Sequence, residues 1–196
     1  MDGKRIFVAF DISEAVRIAC DRHIRYLREM FPKVRVGWER SEKLHITLKF
    51  LGDTDPIILN ELQSRVAKIG SQYVSFRLRL SAAGIFPTTT RPRILWIGVD
   101  DPSNTVIGIQ SQIEDICADL RFKKENKPFR PHITIGRARE FQAAAELANE
   151  HLQTKIEPVE FDVSEIVIYE SKLLPTGSAY SVVERAKLRS GESATG

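Results

Sequence analysis

Apolar residues recur along this chain with two periods, and the period changes at regular intervals. Lys4–Asp11 (KRIFVAFD) is a short, mostly apolar run rich in β-formers and predicts a buried strand. From Ser13, a fitting N-cap, the period becomes helical through Val16, Cys20, Ile24, Leu27 and Phe31, and Pro32 stops it. Val34–Trp38 and Leu44–Leu51 read as strands, the second ending in a turn at Gly52-Asp53. Asp55 caps a second helix with Pro56 at its first position, Ile58, Leu62, Val66 and Ile69 on its inner face, and Gly70 at its end. Val74–Leu80 alternates cleanly as a half-buried strand that Ile85–Pro87 extends, Pro87–Arg93 has the composition of a loop, and Ile94–Val99 is a near-continuous apolar strand. A helix over Ser103–Arg121, a basic loop over Phe122–Arg130, a strand over His132–Arg137 and a helix over Gln142–Leu152 follow. Two last strands, Phe161–Tyr169 and Ala179–Ala186, close the chain before a short tail.

The order of strand, helix, strands, helix and strands then comes round a second time. A duplicated α+β unit would face two equivalent strands across one cleft. With 196 residues the chain is long enough for a real core, as one domain or two fused halves. Residues 1–189 are expected to form one bilobal domain, and 190–196 a disordered tail. Hydrophobic content of 42% and charged content of 28% are ordinary for a soluble globular protein. A net charge of +3 permits an anionic ligand without demanding one. Cys20 and Cys117 fall on apolar helix stripes and are expected to be buried free thiols. Met1–Phe10 lacks the apolar stretch of a signal peptide, and no run approaches the roughly 18 apolar residues of a membrane span, so the cytoplasm is the expected location.

Two of the four histidines share one context: His45-Ile46-Thr47-Leu48 and His132-Ile133-Thr134-Ile135, 87 residues apart. A His-apolar-Thr-apolar match arises by chance at about 0.03 per chain, so it is the duplication that carries information. On a strand, residues two apart share a face. His45 and Thr47 therefore point one way and Ile46 and Leu48 the other, and the second copy behaves alike. An imidazole gives or takes a proton near neutral pH, and the neighbouring hydroxyl can hold a phosphate oxygen. Two histidines across a cleft supply the base and the acid that hydrolysis of a cyclic phosphodiester needs, with Thr47 and Thr134 on the non-bridging oxygens. Two isolated histidines lack the further ligands of a zinc site, so neither metal nor cofactor is expected. His23 and His151 lie on helices without such context and are expected in structural or surface roles.

Five positions after each histidine stands a side chain able to cover a base, Phe50 and Arg137, and the ring and the guanidinium plane together could sandwich one nucleobase. The offset is odd, so a place in the core is the alternative for Phe50 unless the strand bends. Arg130, just before Pro131, is a candidate phosphate contact.

In these residues the chain resembles the two-histidine (2H) phosphoesterase superfamily, and within it the RNA 2′,3′-cyclic phosphodiesterase branch, also called 2′-5′ RNA ligase. The resemblance spans Arg5–Phe10, Leu44–Gly52 (LHITLKFLG), Phe86-Pro87, Arg91–Gly98 (RPRILWIG), Phe129–Arg137 (FRPHITIGR) and Tyr169–Leu173 (YESKL). Ile135-Gly136 departs from the commoner Leu-Ala. The resemblance implies a bilobal, pseudo-twofold α+β fold with two antiparallel sheets around a central cleft. It implies His45 and His132 as the acid–base pair, Thr47 and Thr134 as phosphate binders, and metal-free opening of a cyclic phosphate to a 2′-phosphate, with reverse 2′-5′ joining. The expected partners are RNA ends or nucleoside 2′,3′-cyclic phosphates, met by a monomer with no membrane. The competing expectation is a nucleotide-binding regulatory module of the same fold, although pure binding would not need two proton-transfer groups.

Overall fold

A computed structural model describes residues 3–175 and 177–191. Its elements are β1 (Lys4–Asp11), α1 (Glu14–Met30), β2 (Val36–Trp38), a 3-10 turn (Ser41–Lys43), β3 (His45–Thr54), α2 (Pro56–Gly70), β4 (Phe76–Thr88), β5 (Arg91–Asp100), α3 (Thr105–Asp119), β6 (His132–Ala138), α4 (Ala145–Gln153), β7 (Glu160–Val163), β8 (Glu165–Leu174) and β9 (Gly177–Lys187). The expected caps form. Ser13 Oγ accepts from Val16 N–H at 3.4 Å and Asp55 Oδ1 from Ile57 N–H at 2.8 Å, each satisfying an amide that the first helical turn leaves open. On α2 the inner face is Leu59, Leu62, Val66 and Ile69, with Ile58 at its half-buried margin.

The strands run in the order β7-β4-β5-β6-β3-β1-β8-β9, with β2 added on β6. Two antiparallel halves, β3-β1-β8-β9 and β6-β5-β4-β7, are mirrored about the two histidine strands. Among the described residues a single pair, Ile46 with Ile133, joins them, so the two expected sheets are one curled sheet pinched at its centre. The helices cross over. α1 follows β1 yet packs by α4 and β7, and α3 follows β5 yet packs on β3 and α2. Each half is thereby covered partly by the other's helix. His23 and His151 lie buried where α1 meets α4, their rings joined Nε2 to Nδ1 at 2.8 Å. His151 Nε2 lies 3.1 Å from both the Gly84 and Trp96 carbonyls. Carbonyls only accept, so His151 Nε2 carries the proton and His23 donates to His151 Nδ1. Cys20 and Cys117 are buried free thiols, which burial pushes up to about 12.

The structure corrects three boundaries. β3 does not turn at Gly52-Asp53 but continues to Thr54, with Leu51 as an extra residue and Gly52 at φ 76°. Pro87–Arg93 is no loop: Pro87 pairs with Pro92 and Thr88 with Arg91, leaving Thr89-Thr90 as the turn of a projecting arm. Cross-strand pairing there overrides a composition of prolines and threonines. The expected strand Phe161–Tyr169 is two strands broken at Ser164, where the chain leaves its place on β4 and joins β1. The break shows as a slip of phase, the buried positions passing from Phe161 and Val163 to Ile166 and Ile168 across the polar pair Ser164-Glu165. The expected tail lies, from 192 on, outside the described residues; before it Gly191 N–H reaches Ser75 Oγ at 3.4 Å.

Candidate active site

Ile46 and Ile133, the pair that joins the halves, are fully buried. Their burial turns the flanking residues to the opposite face, where His45, Thr47, His132 and Thr134 line one groove of about 250 Å³. In an antiparallel register the residues beside this pair fall crosswise, His45 towards Thr134 and Thr47 towards His132. Among the described residues β3 and β6 form no second pair, so they part on either side and the groove opens between them.

Both imidazoles are oriented in the same way. His45 Nδ1–H donates to the Lys43 carbonyl at 2.6 Å, and His132 Nδ1–H donates to the Arg130 carbonyl at 2.7 Å. Each bond is to the residue two positions earlier, so the motif's own backbone sets the tautomer and leaves Nε2 for the groove. His45 Nε2 lies 2.9 Å from Thr47 Oγ1. Burial lowers the pKa of both histidines below the usual value. Phe7 and Tyr180 pack on His45 at 4.9 and 5.6 Å between ring centres, and Phe86 and Trp96 on His132 at 5.2 and 5.7 Å. The lowering is opposed at both by the backbone carbonyl, and at His45 also by the Asp11 carboxylate; Arg137 reinforces it at both.

Phe50 and Arg137 reach the groove by matching irregularities. Leu48 is an extra residue between the pairs Ala9–Thr47 and Val8–Lys49, and Ile135 is extra between Trp96–Thr134 and Leu95–Gly136. Each bulge reverses the alternation and returns the residue five positions after the histidine to the histidine's own face. Phe50 is 59% exposed and lines the groove, so the core alternative does not hold. Arg137 also lines it, its Nε 3.5 Å from Glu39 Oε1. Because β3 and β6 are antiparallel, Phe50 and Arg137 approach from opposite ends and do not enclose the two faces of one ring. Gly136 has a local reason: a Cβ there would lie 2.9 Å from both the Trp38 ring and Val36, which β2 lays across β6. Arg130 contributes its carbonyl, while its side chain is exposed and does not line the groove.

Several groove residues lie outside the sequence expectations. Lys49 shows only 3% exposure; its Nζ donates to Glu114 Oε2 at 2.9 Å and to the Lys123 carbonyl at 2.8 Å, tying β3 to α3 and to the segment that leads into His132. Its signal was a lysine inside an apolar strand. Glu39, Lys43, Phe129 and Tyr180 also line the groove and carry no local pattern that marks them. Tyr180 arrives because the β8–β9 arm bends back far enough for Lys43 Nζ to donate to the Ser178 carbonyl. Two imidazoles with Nδ1 held by the backbone, two hydroxyls and a guanidinium can bind a phosphate and move protons on both sides of it. Among the described residues no three His, Cys, Asp or Glu side chains converge as a metal site would require, nor is any helix long and apolar enough to cross a membrane.

Comparison with known proteins meets these residues. The pattern of the 2′-5′ RNA ligase superfamily matches residues 19–173. The RNA 2′,3′-cyclic phosphodiesterase of Aquifex aeolicus is 31% identical over 184 residues, covering 92% of this chain and 95% of its own. That of Methanocaldococcus jannaschii is 30% identical over 181 residues, covering 92% and 98%. Among solved structures, TT0787 of Thermus thermophilus superposes with a TM-score of 0.76 at 24% identity, over 95% of this chain and 98% of that one. E. coli LigT complexed with 3′-AMP superposes with a TM-score of 0.74 at 25% identity, over 95% and 98%.

Proposed function

This chain belongs to the 2′-5′ RNA ligase superfamily, and on that footing we propose that it is an RNA 2′,3′-cyclic phosphodiesterase using His45 and His132 as its acid–base pair, without a metal. The observation that carries the reading is the matched orientation of the two imidazoles, each Nδ1–H held by its own backbone and each ring lining one groove with its threonine. One Nε2 takes a proton from water as the water oxygen bonds to phosphorus. The bond from phosphorus to the ribose 3′ oxygen breaks, and the other imidazolium gives that oxygen its proton, leaving a 2′-phosphate. Thr47 and Thr134 hold the non-bridging oxygens. Arg137, whose charge acts on both histidines, offsets the charge that develops there.

Phe50 covers the terminal base, and Arg130 meets RNA phosphates outside the groove. With an RNA 5′-hydroxyl in place of water, the same proton transfers open the cyclic phosphate to a 2′-5′ linkage, the ribose 3′ oxygen leaving as a hydroxyl. Residues 1–189 act as one unit and as a monomer, since both motifs come from one chain. Two buried free thiols suit a reducing cytoplasm.

The test is the pH profile of kcat/KM on a nucleoside 2′,3′-cyclic phosphate, for the wild type and for His45→Ala and His132→Ala. With both pKa values lowered, the bell should peak below about pH 6.5. Each variant should lose at least about 100-fold in turnover while remaining folded. A variant that keeps wild-type turnover would remove its histidine from the reaction.

A further inference from the structure

The two ends of the groove differ in what they offer an oxygen. At the Phe50 end, Lys49 is committed to Glu114 and to the Lys123 carbonyl, Phe50 and Phe129 are apolar, and Glu125 presents a carboxylate. At the other end stand Arg137 and Tyr180. The Tyr180 ring lies edge-on to His45, 5.6 Å between centres at 85°, and packs on Phe7 at 4.9 Å. Lys43 fixes its strand from beneath, with Nζ 6.0 Å from the ring centre. The Tyr180 hydroxyl has no hydrogen-bond partner among the described residues although the side chain lines the groove. Burial and the nearby Glu39 carboxylate push its pKa up, so it remains a protonated donor. Glu39 in turn steadies Arg137 at 3.5 Å.

We infer that Tyr180 and Arg137 act together on one of the two non-bridging oxygens of the bound phosphate, so that the site distinguishes the stereochemistry at phosphorus. The inference rests on the phosphodiesterase reading. A phosphate held between His45 and His132 turns one non-bridging oxygen towards Tyr180 and Arg137, and the other towards Phe50 and Phe129. The first oxygen gains a hydroxyl and a guanidinium beyond its threonine, and the second gains neither. Tyr180 is thus a substrate-contacting residue supplied by a strand that carries no motif.

Sulfur accepts hydrogen bonds poorly, so replacing one oxygen at a time reports on each position. The experiment compares kcat/KM for the two diastereomers of a nucleoside 2′,3′-cyclic phosphorothioate. Wild type should prefer one by at least about tenfold, the scale of one hydrogen bond to a charged oxygen. Tyr180→Phe should bring the ratio to within about threefold by slowing the preferred diastereomer and leaving the other nearly unchanged. Arg137→Lys, which keeps the charge but not the planar fork, should narrow the ratio in the same direction and gives the readout should Tyr180→Phe not fold. Equal rates for the two diastereomers in the wild type, or an unchanged ratio in a folded variant, would overturn the inference. Failure of the wild type on the all-oxygen cyclic phosphate would instead overturn the phosphodiesterase reading.

Discussion

Phe50 stands five residues after His45, an odd step that on an unbroken strand would turn its ring into the core. The extra residue Leu48 absorbs that step, and Ile135 does the same for Arg137 in the second copy. With its ring 59% exposed, Phe50 contributes little to packing. Phe50→Ala should therefore raise KM about fivefold or more while the melting temperature stays within about 2 °C, as expected for a surface side chain outside the core. An unchanged KM with a lowered melting temperature would return Phe50 to the core. At this scale the sequence was legible where strand alternation alone sets direction. His45, Thr47, His132 and Thr134 needed only a period of two. Phe50 and Arg137 needed the bulge, which no composition announces. Tyr180 and Glu39 reach the groove through tertiary bending and pairing, and nothing within a few residues of either marks it.

Between elements, the joint of greatest consequence is Lys49. Its side chain is 2% exposed and that of Glu114 12%, so the pair holds β3, α3 and the segment before His132 together in a dry place. Glu114 also accepts from Glu125 N–H at 3.3 Å. Removing one partner strands the other's charge. Lys49→Met should destabilise by about 3–5 kcal/mol in a urea titration, and Glu114→Gln added to it should recover part of that loss. A Lys49→Met protein as stable as wild type would show that the pair does not hold these elements. Helix ends were legible because Ser13, Asp55 and Pro56 act on their nearest neighbours. Strand ends were less so, because pairing decides them: Thr88 with Arg91 makes an arm of an expected loop, and a change of partner at Ser164, where the buried phase slips by one residue, divides one expected strand into two.

Across the whole molecule, the duplication announced by two His-x-Thr motifs is a physical pseudo-symmetry in which each histidine strand begins its own half-sheet. The sequence carried the repeat because the site needs both copies. It did not carry the single Ile46–Ile133 joint or the exchange of α1 and α3 between halves, which only the packing of distant faces determines. Their effect is a groove with a histidine on each wall. The central claim is that those two side chains suffice for the chemistry, and its most direct measurement is the hydrolysis of a nucleoside 2′,3′-cyclic phosphate near pH 6 in excess EDTA, with the product identified. The account predicts undiminished turnover and a nucleoside 2′-phosphate as the product; loss of activity in the chelator that added divalent metal restores, or a 3′-phosphate product, would contradict it.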